Sequence, residues 1–309
     1  MLPVVEKTKK RIQSMEIRGA LTIAIAAAEA IAVVVAESEG NTEKLRKAII
    51  GAGEYLRDAR PTAVSLPNAI DYIQYLAEKN KELGEREYRE TMLLEIESFI
   101  THQRQAVDKI AEYGSHLLED GNLVLTHCNS DTALAVIKKA FSDGRKIEAI
   151  CTETRPRHQG YISARELANH GIPTKLIIDS AVYYLMHKLE VDKVIVGADA
   201  ISASGDVVNK IGTSQVALAA QELDIEFYVA AESLKFSPET LAGKIIPIEE
   251  RSREEITSEL PPEVEILNPV FDITPHRFIN SIITEYGVIP PQAAYQLLRE
   301  HYSWKFKEE

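Results

Sequence analysis

The chain has 309 residues, of which 45% are hydrophobic and 27% are charged. This composition is ordinary for a folded globular protein and excludes a fibrous or intrinsically disordered chain. The formal net charge of −12 argues against a general nucleic-acid binder, because affinity for a polyphosphate rests on Lys and Arg that neutralise phosphates.

The first 120 residues show helical periodicity and no strand alternation. Apolar residues recur at three- and four-residue intervals, which predicts helices over 3–37, 42–58, 66–82 and 85–119. The segment 20–36 is almost entirely apolar, but it is shorter than the roughly 20 residues that a membrane span needs. We therefore predict a helical N-terminal domain over 1–120 and no contact with a membrane.

After residue 121 the pattern changes to short apolar runs that alternate with helical stretches. This alternation is typical of βαβ units and a parallel sheet, so the fold class is α/β, with a second domain over 121–309. The predicted strands are 123–126, 147–152, 175–178, 193–196 and 225–230, and the predicted helices are 131–143, 163–170, 180–189 and 213–223.

Most polar candidates for chemistry directly follow these strands. Ligands of parallel sheets bind outside the carboxyl ends of the strands. The segments in that position are 126–130, 152–156, 179–181, 197–200 and 231–235. A site is therefore expected at this edge of the sheet.

Cys128 and Asp199 are the candidates for acid and base chemistry. The thiol of Cys128 precedes a predicted helix, whose positive end favours a thiolate, although most free cysteines are core residues, as we expect for Cys151. Asp199 ends an apolar strand, where partial desolvation favours a protonated carboxyl; a helix cap is the alternative role. A thiol and a carboxyl of this kind can form an acid/base pair.

Several cations are placed to hold a phosphate. Lys210 precedes a helix that Thr213 or Ser214 is predicted to cap, and the first-turn amides of that helix could bind an anion. Arg18, Arg60 and Arg155 each adjoin a small or rigid residue and suit forked phosphate contacts. A surface turn and solvated arginines are the alternatives. The two cysteines and eight histidines show no metal-ligand spacing, so no metal and no disulfide is expected.

Taken together, these residues resemble a known family. The matching segments are MEIRGA (15–20), RPTAVSLPN (60–68), THCNS (126–130), TETRP (152–156) with QG (159–160), GAD (197–199) and NKIGT (209–213). The chain is similar to the archaeal ribose-1,5-bisphosphate isomerases. Their family also holds 5-methylthioribose-1-phosphate isomerases and regulatory subunits of the translation initiation exchange factor.

The resemblance implies a helical N-terminal domain, a Rossmann-like C-terminal domain, and Cys128 and Asp199 as the catalytic pair. It implies a cofactor-free, cytoplasmic isomerase that converts ribose 1,5-bisphosphate to ribulose 1,5-bisphosphate in AMP salvage and associates into a dimer or hexamer. The substrate-binding positions that it implies are Arg18, Gly19, Ala20, Arg60, Ser130, Arg155, Gln159, Asn209, Lys210 and Lys235.

Two alternatives stay open. Asn129 after Cys128 is more typical of the methylthioribose enzymes of methionine salvage, whereas the arginine set favours a bisphosphate substrate. A non-catalytic translation-factor subunit is the second alternative, and the presence of Cys128 disfavours it, since those subunits lack the catalytic cysteine.

Overall fold

The computed structural model describes residues 2–17, 19–60 and 64–305. By contacts the chain divides into two compact units: the residues up to Ala106 with the segment from Arg299 onward, and Val107–Leu298. The boundary between the two units falls within a long helix, and the C-terminal segment belongs to the first unit. The domain boundary expected after residue 120 stays a prediction.

In the first unit, every regular element among the described residues is helical. The expected helix over 3–37 is wrong, because two helices occupy this stretch. Met15 and Gly19 have φ values of 61° and 82°, and a right-handed helix does not continue through such residues. The helices are α1 (Pro3–Gln13), α2 (Ala20–Glu37), α3 (Thr42–Arg57), α4 (Ser65–Lys79) and α5 (Glu85–Ser115), the last of which continues into the second unit.

Helix α2 is long and apolar enough to cross a membrane by length and composition, with a mean hydropathy of 2.0. It packs against α1, α3 and α4. Ile23, Ala27, Ile31 and Val35 on this helix are all buried. Small residues allow neighbouring helices to approach closely, so α2 packs its buried face against three helices of the first unit.

The second unit is built on a seven-stranded sheet. The strand order is β10-β9-β7-β4-β1-β2-β3, and only β10 runs antiparallel to its neighbour. The predicted parallel α/β class is confirmed. The strands are β1 (Leu123–Thr126), β2 (Glu148–Thr152), β3 (Thr174–Ile177), β4 (Lys193–Val196), β7 (Glu226–Ala230), β9 (Ser281–Thr284) and β10 (Gly287–Ile289).

A second, antiparallel sheet was not expected from the sequence. Its order is β5-β6-β8, and it places Asn209 opposite Asp272. Its strands are β5 (Ala200–Ile201), β6 (Val207–Lys210) and β8 (Phe271–Thr274), and the helices of the unit are α6 (Asp131–Ser142), α7 (Gly160–Asn169), α8 (Val182–Lys188), α9 (Thr213–Glu222) and α10 (Ala294–His301), which ends beyond it.

Gly160 allows α7 to return closely onto the end of β2. A Cβ at this position would lie 1.6 Å from the carbonyl oxygen of Thr152. Backbone atoms do not move aside as a flexible side chain can, so this position requires glycine.

We predict that Gly160→Ala destabilises the second unit by about 2–4 kcal/mol, because overpacking against backbone forces the chain to shift. Gly51→Ala is the matched control, since Gly51 lies in the interior of α3 and a Cβ there meets no atom within 4 Å. That variant should gain about 0.5–1 kcal/mol. Thermal unfolding of both variants checks this, and an unchanged Tm for Gly160→Ala would contradict it.

Candidate functional site

The candidate site lies where the direction of sheet winding reverses. Strands β1 and β4 are neighbours, and the chain continues from β1 to β2 on one side and from β4 to β7 on the other. Cys128 follows β1 and Asp199 follows β4. A Cβ on Gly197 would lie 2.2 Å from Oγ of Ser130, so the two loops touch there. Crevices of this kind are the usual ligand sites of doubly wound sheets.

Cys128 sits in a left-handed turn, with φ of 72°. Its backbone N–H donates to Oγ1 of Thr154 at 2.9 Å, and its carbonyl accepts from Oγ of Ser163 at 2.7 Å. A residue with a side chain adopts this conformation only where its surroundings hold it. These two hydrogen bonds therefore position the thiol.

Asp179 in turn fixes the loop that holds Cys128. Its two carboxylate oxygens accept from the backbone N–H groups of Thr154 and Arg155, at 2.7 and 2.8 Å. Thr154 is itself left-handed, with φ of 61°. The sequence places Asp179 after a predicted strand, and that strand-end position is the only signal in the sequence for its role.

Burial raises the pKa of the Cys128 thiol to about 11, and the charges of Asp199 and Asp179 act in the same direction. Lys210 and the backbone N–H of Asn129 act against them. The expectation that the helix end favours a thiolate is therefore wrong for the free protein, because burial outweighs it. Ser130 does cap α6, accepting from the N–H of Ala133 at 3.3 Å.

The loop after β6 presents Asn209 and Lys210, both buried. The Asn209 amide donates to Oγ1 of Thr213 at 3.0 Å, and that hydroxyl donates to the carbonyl of Lys210 at 2.6 Å. The ammonium of Lys210 lies 5.0 Å from the ring centre of Phe271. The hydroxyl of Thr213 therefore holds the backbone of Lys210, and the ring of Phe271 holds its ammonium group through a cation–π contact.

Asp272 occupies the start of α9. Its carboxylate accepts from the N–H of Gly212 at 2.7 Å and from the N–H of Ser214 at 3.2 Å. Gly212 is the residue at the helix cap, in place of the expected Thr213 or Ser214. Both of these amides already have an anionic partner, so the expectation that the α9 amides bind a phosphate is wrong for them.

His127 joins this loop to β2. Nδ1 of the ring lies 2.6 Å from Oγ1 of Thr152, and Nε2 lies 2.9 Å from the carbonyl of Ile211. Burial lowers the pKa of His127, which favours the neutral ring. A Cβ on Gly212, at φ of 103°, would lie 2.9 Å from that ring, so glycine is needed there.

Lys235 is the second buried lysine of the site, and its ammonium lies 2.8 Å from the Glu232 carboxylate. Burial acts to lower the pKa of Lys235, but Glu232, Asp199 and Asp131 together raise it. Glu285 accepts from the N–H and Oγ of Ser233, at 2.9 and 2.5 Å. A glutamate that sequence analysis did not single out thus anchors the turn that carries Lys235.

The remaining predicted site residues lie in both units. In the second unit, Arg155 is exposed and Gln159 stands at the start of α7, with a buried Oε1 that accepts no hydrogen bond. In the first unit, Gly19 precedes α2, Ala20 is its first residue, and Arg60 is half-buried. Arg18 lies outside the described residues. The roles of all these residues stay predictions.

The charges of the second-unit site suit an anion. Within the described ranges, no group of three or more His, Cys, Asp and Glu side chains is arranged to hold a metal ion. Lys210 and Lys235 instead place two buried ammonium groups where their charges act on Cys128 and Asp199.

The winding of the sheet and the strand-end crevice place the second unit in the Rossmann-like class of α/β proteins. The model of the initiation factor 2 subunit family matches residues 16–291. The chain therefore belongs to this family, and the resemblance inferred from the motifs is confirmed.

Relatives and solved structures of the family differ in their described functions. A ribose 1,5-bisphosphate isomerase of Methanocaldococcus jannaschii is 44% identical over 98% of this chain and 97% of its own length. A methylthioribose-1-phosphate isomerase of Thermoanaerobacter is 37% identical over 93% of this chain and 88% of its own. The crystal structure of a Pyrococcus horikoshii translation initiation factor eIF-2B has a TM-score of 0.78 and 32% identity, covering 94% of this chain and 98% of that one.

Asp179→Asn should lower the pKa of the Cys128 thiol, because it removes a negative charge that raises this pKa. It also leaves one of the two backbone amides without its acceptor, at a cost of about 1.5–3 kcal/mol. The rate of thiol alkylation as a function of pH measures the first effect, and unfolding measures the second.

Asp192→Asn is the matched control, because Asp192 accepts from the N–H of Leu123 at 2.7 Å at the opposite end of β1. It should lose stability and leave the thiol pKa unchanged. Equal pKa shifts in the two variants would contradict a specific role for Asp179.

Proposed function

We propose that this protein isomerises ribose 1,5-bisphosphate to ribulose 1,5-bisphosphate. The observation that carries this proposal is the placement of Cys128 and Asp199 on the loops that follow the neighbouring strands β1 and β4, where the charge of buried Lys210 acts on the thiol. The relatives named as ribose 1,5-bisphosphate isomerases support the same activity, at 40–46% identity over nearly the whole chain. The prediction of a sugar-phosphate isomerase is confirmed by those names.

The reaction moves hydrogen from the second carbon of the sugar to the first and opens the ring. Asp199 donates a proton to the ring oxygen as the bond from that oxygen to the first carbon breaks. Cys128 takes the proton from the second carbon, and an enol with its double bond between the first two carbons forms. Cys128 then returns its proton to the first carbon, and Asp199 takes the hydroxyl proton from the second carbon, which gives the ketone and restores both groups. Protons balance, and no redox cofactor is needed.

The thiol of Cys128 is protonated in the resting protein. With a pKa of about 11, only about one thiol in ten thousand is ionised at pH 7. The charge of Asp199 contributes to this high pKa.

Lys210 stabilises the reactive form of this thiol. Its ammonium acts to lower the pKa of the Cys128 thiol, so it favours the thiolate that removes the proton. Since Lys210 and Lys235 are buried, their charges are weakly screened and act strongly on bound phosphate and on the enolate.

Cys128→Ser and Asp199→Asn should each lower kcat by at least about a thousandfold, because general acid and base groups typically contribute 10²–10⁴-fold each. Wild-type protein should convert ribose 1,5-bisphosphate with a far higher kcat/KM than 5-methylthioribose 1-phosphate. A coupled assay with both sugars measures both statements.

Cys151→Ala is the control for the cysteine, since Cys151 is buried within β2. It should lose about 1 kcal/mol of stability and keep its turnover. Equal or reversed kcat/KM values for the two sugars would assign the chain to methylthioribose chemistry. Absence of turnover on both would favour a regulatory subunit.

We also propose self-association through the second unit. In the tail 288–298, which looks apolar in the sequence, Leu297 and Leu298 are buried, whereas Val288 and Tyr295 are 40% and 51% exposed. A larger exposed set lies on β3 and the following helical turns, at Leu176, Ile178 and Tyr184, which are 48%, 57% and 62% exposed. Exposed apolar patches of this kind mark association sites.

At micromolar concentration, light scattering should show a dimer or a hexamer, and Ile178→Glu should shift it toward the monomer by placing a charge in the contact. Leu94→Glu is the control, because Leu94 is 68% exposed on α5. A wild-type monomer would overturn the proposal. We expect this cytoplasmic protein to show no salt-sensitive binding to nucleic acid, given its net charge.

A further inference from the structure

His127 links the loop that carries Cys128 to the loop that carries Lys210. Its side chain is buried, and both of its ring nitrogens have protein partners. Nε2 lies 2.9 Å from the carbonyl oxygen of Ile211, the residue after Lys210, and Nδ1 lies 2.6 Å from Oγ1 of Thr152 at the end of β2. The proposed reaction uses no atom of this ring.

The partners of the His127 ring select one tautomer. Burial lowers the pKa of His127, so the ring is neutral near neutral pH and carries one N–H. A carbonyl oxygen can only accept a hydrogen bond, so the ring proton lies on Nε2 and is donated to Ile211. Nδ1 is then an acceptor, and the hydroxyl of Thr152 donates to it.

This tautomer gives the neighbouring hydrogen bonds a single direction. The hydroxyl of Thr152 donates its only proton to the ring, so Oγ1 of Thr152 is the acceptor in its contact with Oγ1 of Thr154, at 3.2 Å. Oγ1 of Thr154 in turn accepts from the backbone N–H of Cys128 at 2.9 Å. Both threonines are buried, where an unmade hydrogen bond costs free energy. A chain of donors therefore runs from the Cys128 amide through two hydroxyls to the ring of His127.

We propose that His127, as the neutral tautomer protonated at Nε2, is a positioning residue that fixes Cys128 and Lys210 relative to each other, an inference that rests on the proposed function. One ring nitrogen anchors the hydrogen bonds that support the left-handed turn at Cys128. The other nitrogen anchors the backbone directly after Lys210. Since the Lys210 ammonium acts on the Cys128 thiol, the ring determines how strongly that charge favours the thiolate.

A histidine that only fills space would not need these contacts. Burying an imidazole costs free energy that an apolar side chain of similar size avoids. The ring also packs against the loop to which it is hydrogen-bonded, because a Cβ on Gly212, the residue after Ile211, would lie 2.9 Å from it. His127 therefore holds this loop both by packing and by a hydrogen bond.

The tautomer can be measured on the wild-type protein. Nitrogen NMR of labelled histidine separates a protonated ring nitrogen from an unprotonated one, and loss of the signal in His127→Asn assigns it among the eight histidines. Near neutral pH, Nε2 of His127 should be protonated and Nδ1 unprotonated. A protonated Nδ1 overturns the proposal, because Thr152 would then accept from the ring and the chain of donors would run the other way.

A double-mutant cycle tests the link to Lys210, with Cys151→Ala present throughout so that Cys128 is the only thiol. His127→Asn keeps a polar group near the position of Nδ1 but is too short to reach Ile211. It should lower the rate of thiol alkylation at mildly alkaline pH about 3- to 10-fold, because the Lys210 charge then favours the thiolate less. In Lys210→Gln, the same substitution should change the rate by less than about twofold. An unchanged or faster rate, or equal fold-changes in both backgrounds, overturns the link.

Thr154→Val and Thr154→Ser test the link to Cys128. Valine keeps the side-chain shape but removes the acceptor of the Cys128 amide, so kcat should fall about 10- to 100-fold with little change in KM, as a misplaced reacting group predicts. Serine keeps the oxygen and should restore kcat to within about threefold of wild type. Thr174→Val is the matched control, because its hydroxyl donates to the carbonyl of Ile172 at 2.8 Å at the start of β3, and it should keep its turnover.

Failure of serine to restore kcat, or an equal loss in Thr174→Val, overturns the role of this chain of donors. If the wild-type protein turns over neither sugar phosphate, the proposed function fails by itself. The NMR signals of His127 and the alkylation rates need no substrate, so they still decide whether the ring positions Cys128 and Lys210.

Discussion

The hydrogen bond from the Cys128 amide to Thr154 is the contact on which the site depends. It joins the loops after β1 and β2, and it holds a residue with a side chain at φ of 72°. Without such support this backbone conformation would cost of order 1–3 kcal/mol and would relax. Asp179, at the end of β3, extends the support to a third strand. Three adjacent strand ends therefore determine where one thiol points, and the rigid sheet beneath them keeps its position.

Burial and the charge of Lys210 act in opposite directions on the pKa of the Cys128 thiol. Apolar surroundings keep the thiol protonated, with a pKa of about 11, yet the same low dielectric strengthens the effect of each nearby charge. Buried Lys235 is kept charged by carboxylates, chiefly that of Glu232. The molecule thus combines a net charge of −12 with a few fixed cations at its sheet edge. The charged side chains of this site already pair with one another. Binding of a phosphate dianion would therefore require little reorganisation of these side chains.

Sequence patterns correctly predicted the central strands, whose side chains are buried on both faces of the sheet. The apolar runs of β1 and β4 match the structure residue for residue, because central strands of a parallel sheet are apolar on both faces. The antiparallel sheet was missed, since β6 pairs with β8 about 60 residues further along the chain and neither strand shows a distinctive period. The break between α1 and α2 was missed because periodicity does not register left-handed residues such as Met15. Strand ends identified Cys128 and Asp199, whereas Asp272 acts from a strand that no pattern revealed.

The family joins enzymes and translation factors on one fold, so function has to be argued from the site and not from the fold. The close approach of Gly197 to Ser130 and the hydrogen bonds from the start of α9 to Asp272 serve the packing of this fold. A thiol held in a strained turn serves no such need, because alternatives without strain would be more stable. Its presence in a segment with a carboxyl and two buried lysines is therefore the feature on which the proposed catalytic role rests. By the same reasoning, burial of Lys210 adds a desolvation cost that a purely structural loop would avoid, and a bound anion would offset that cost.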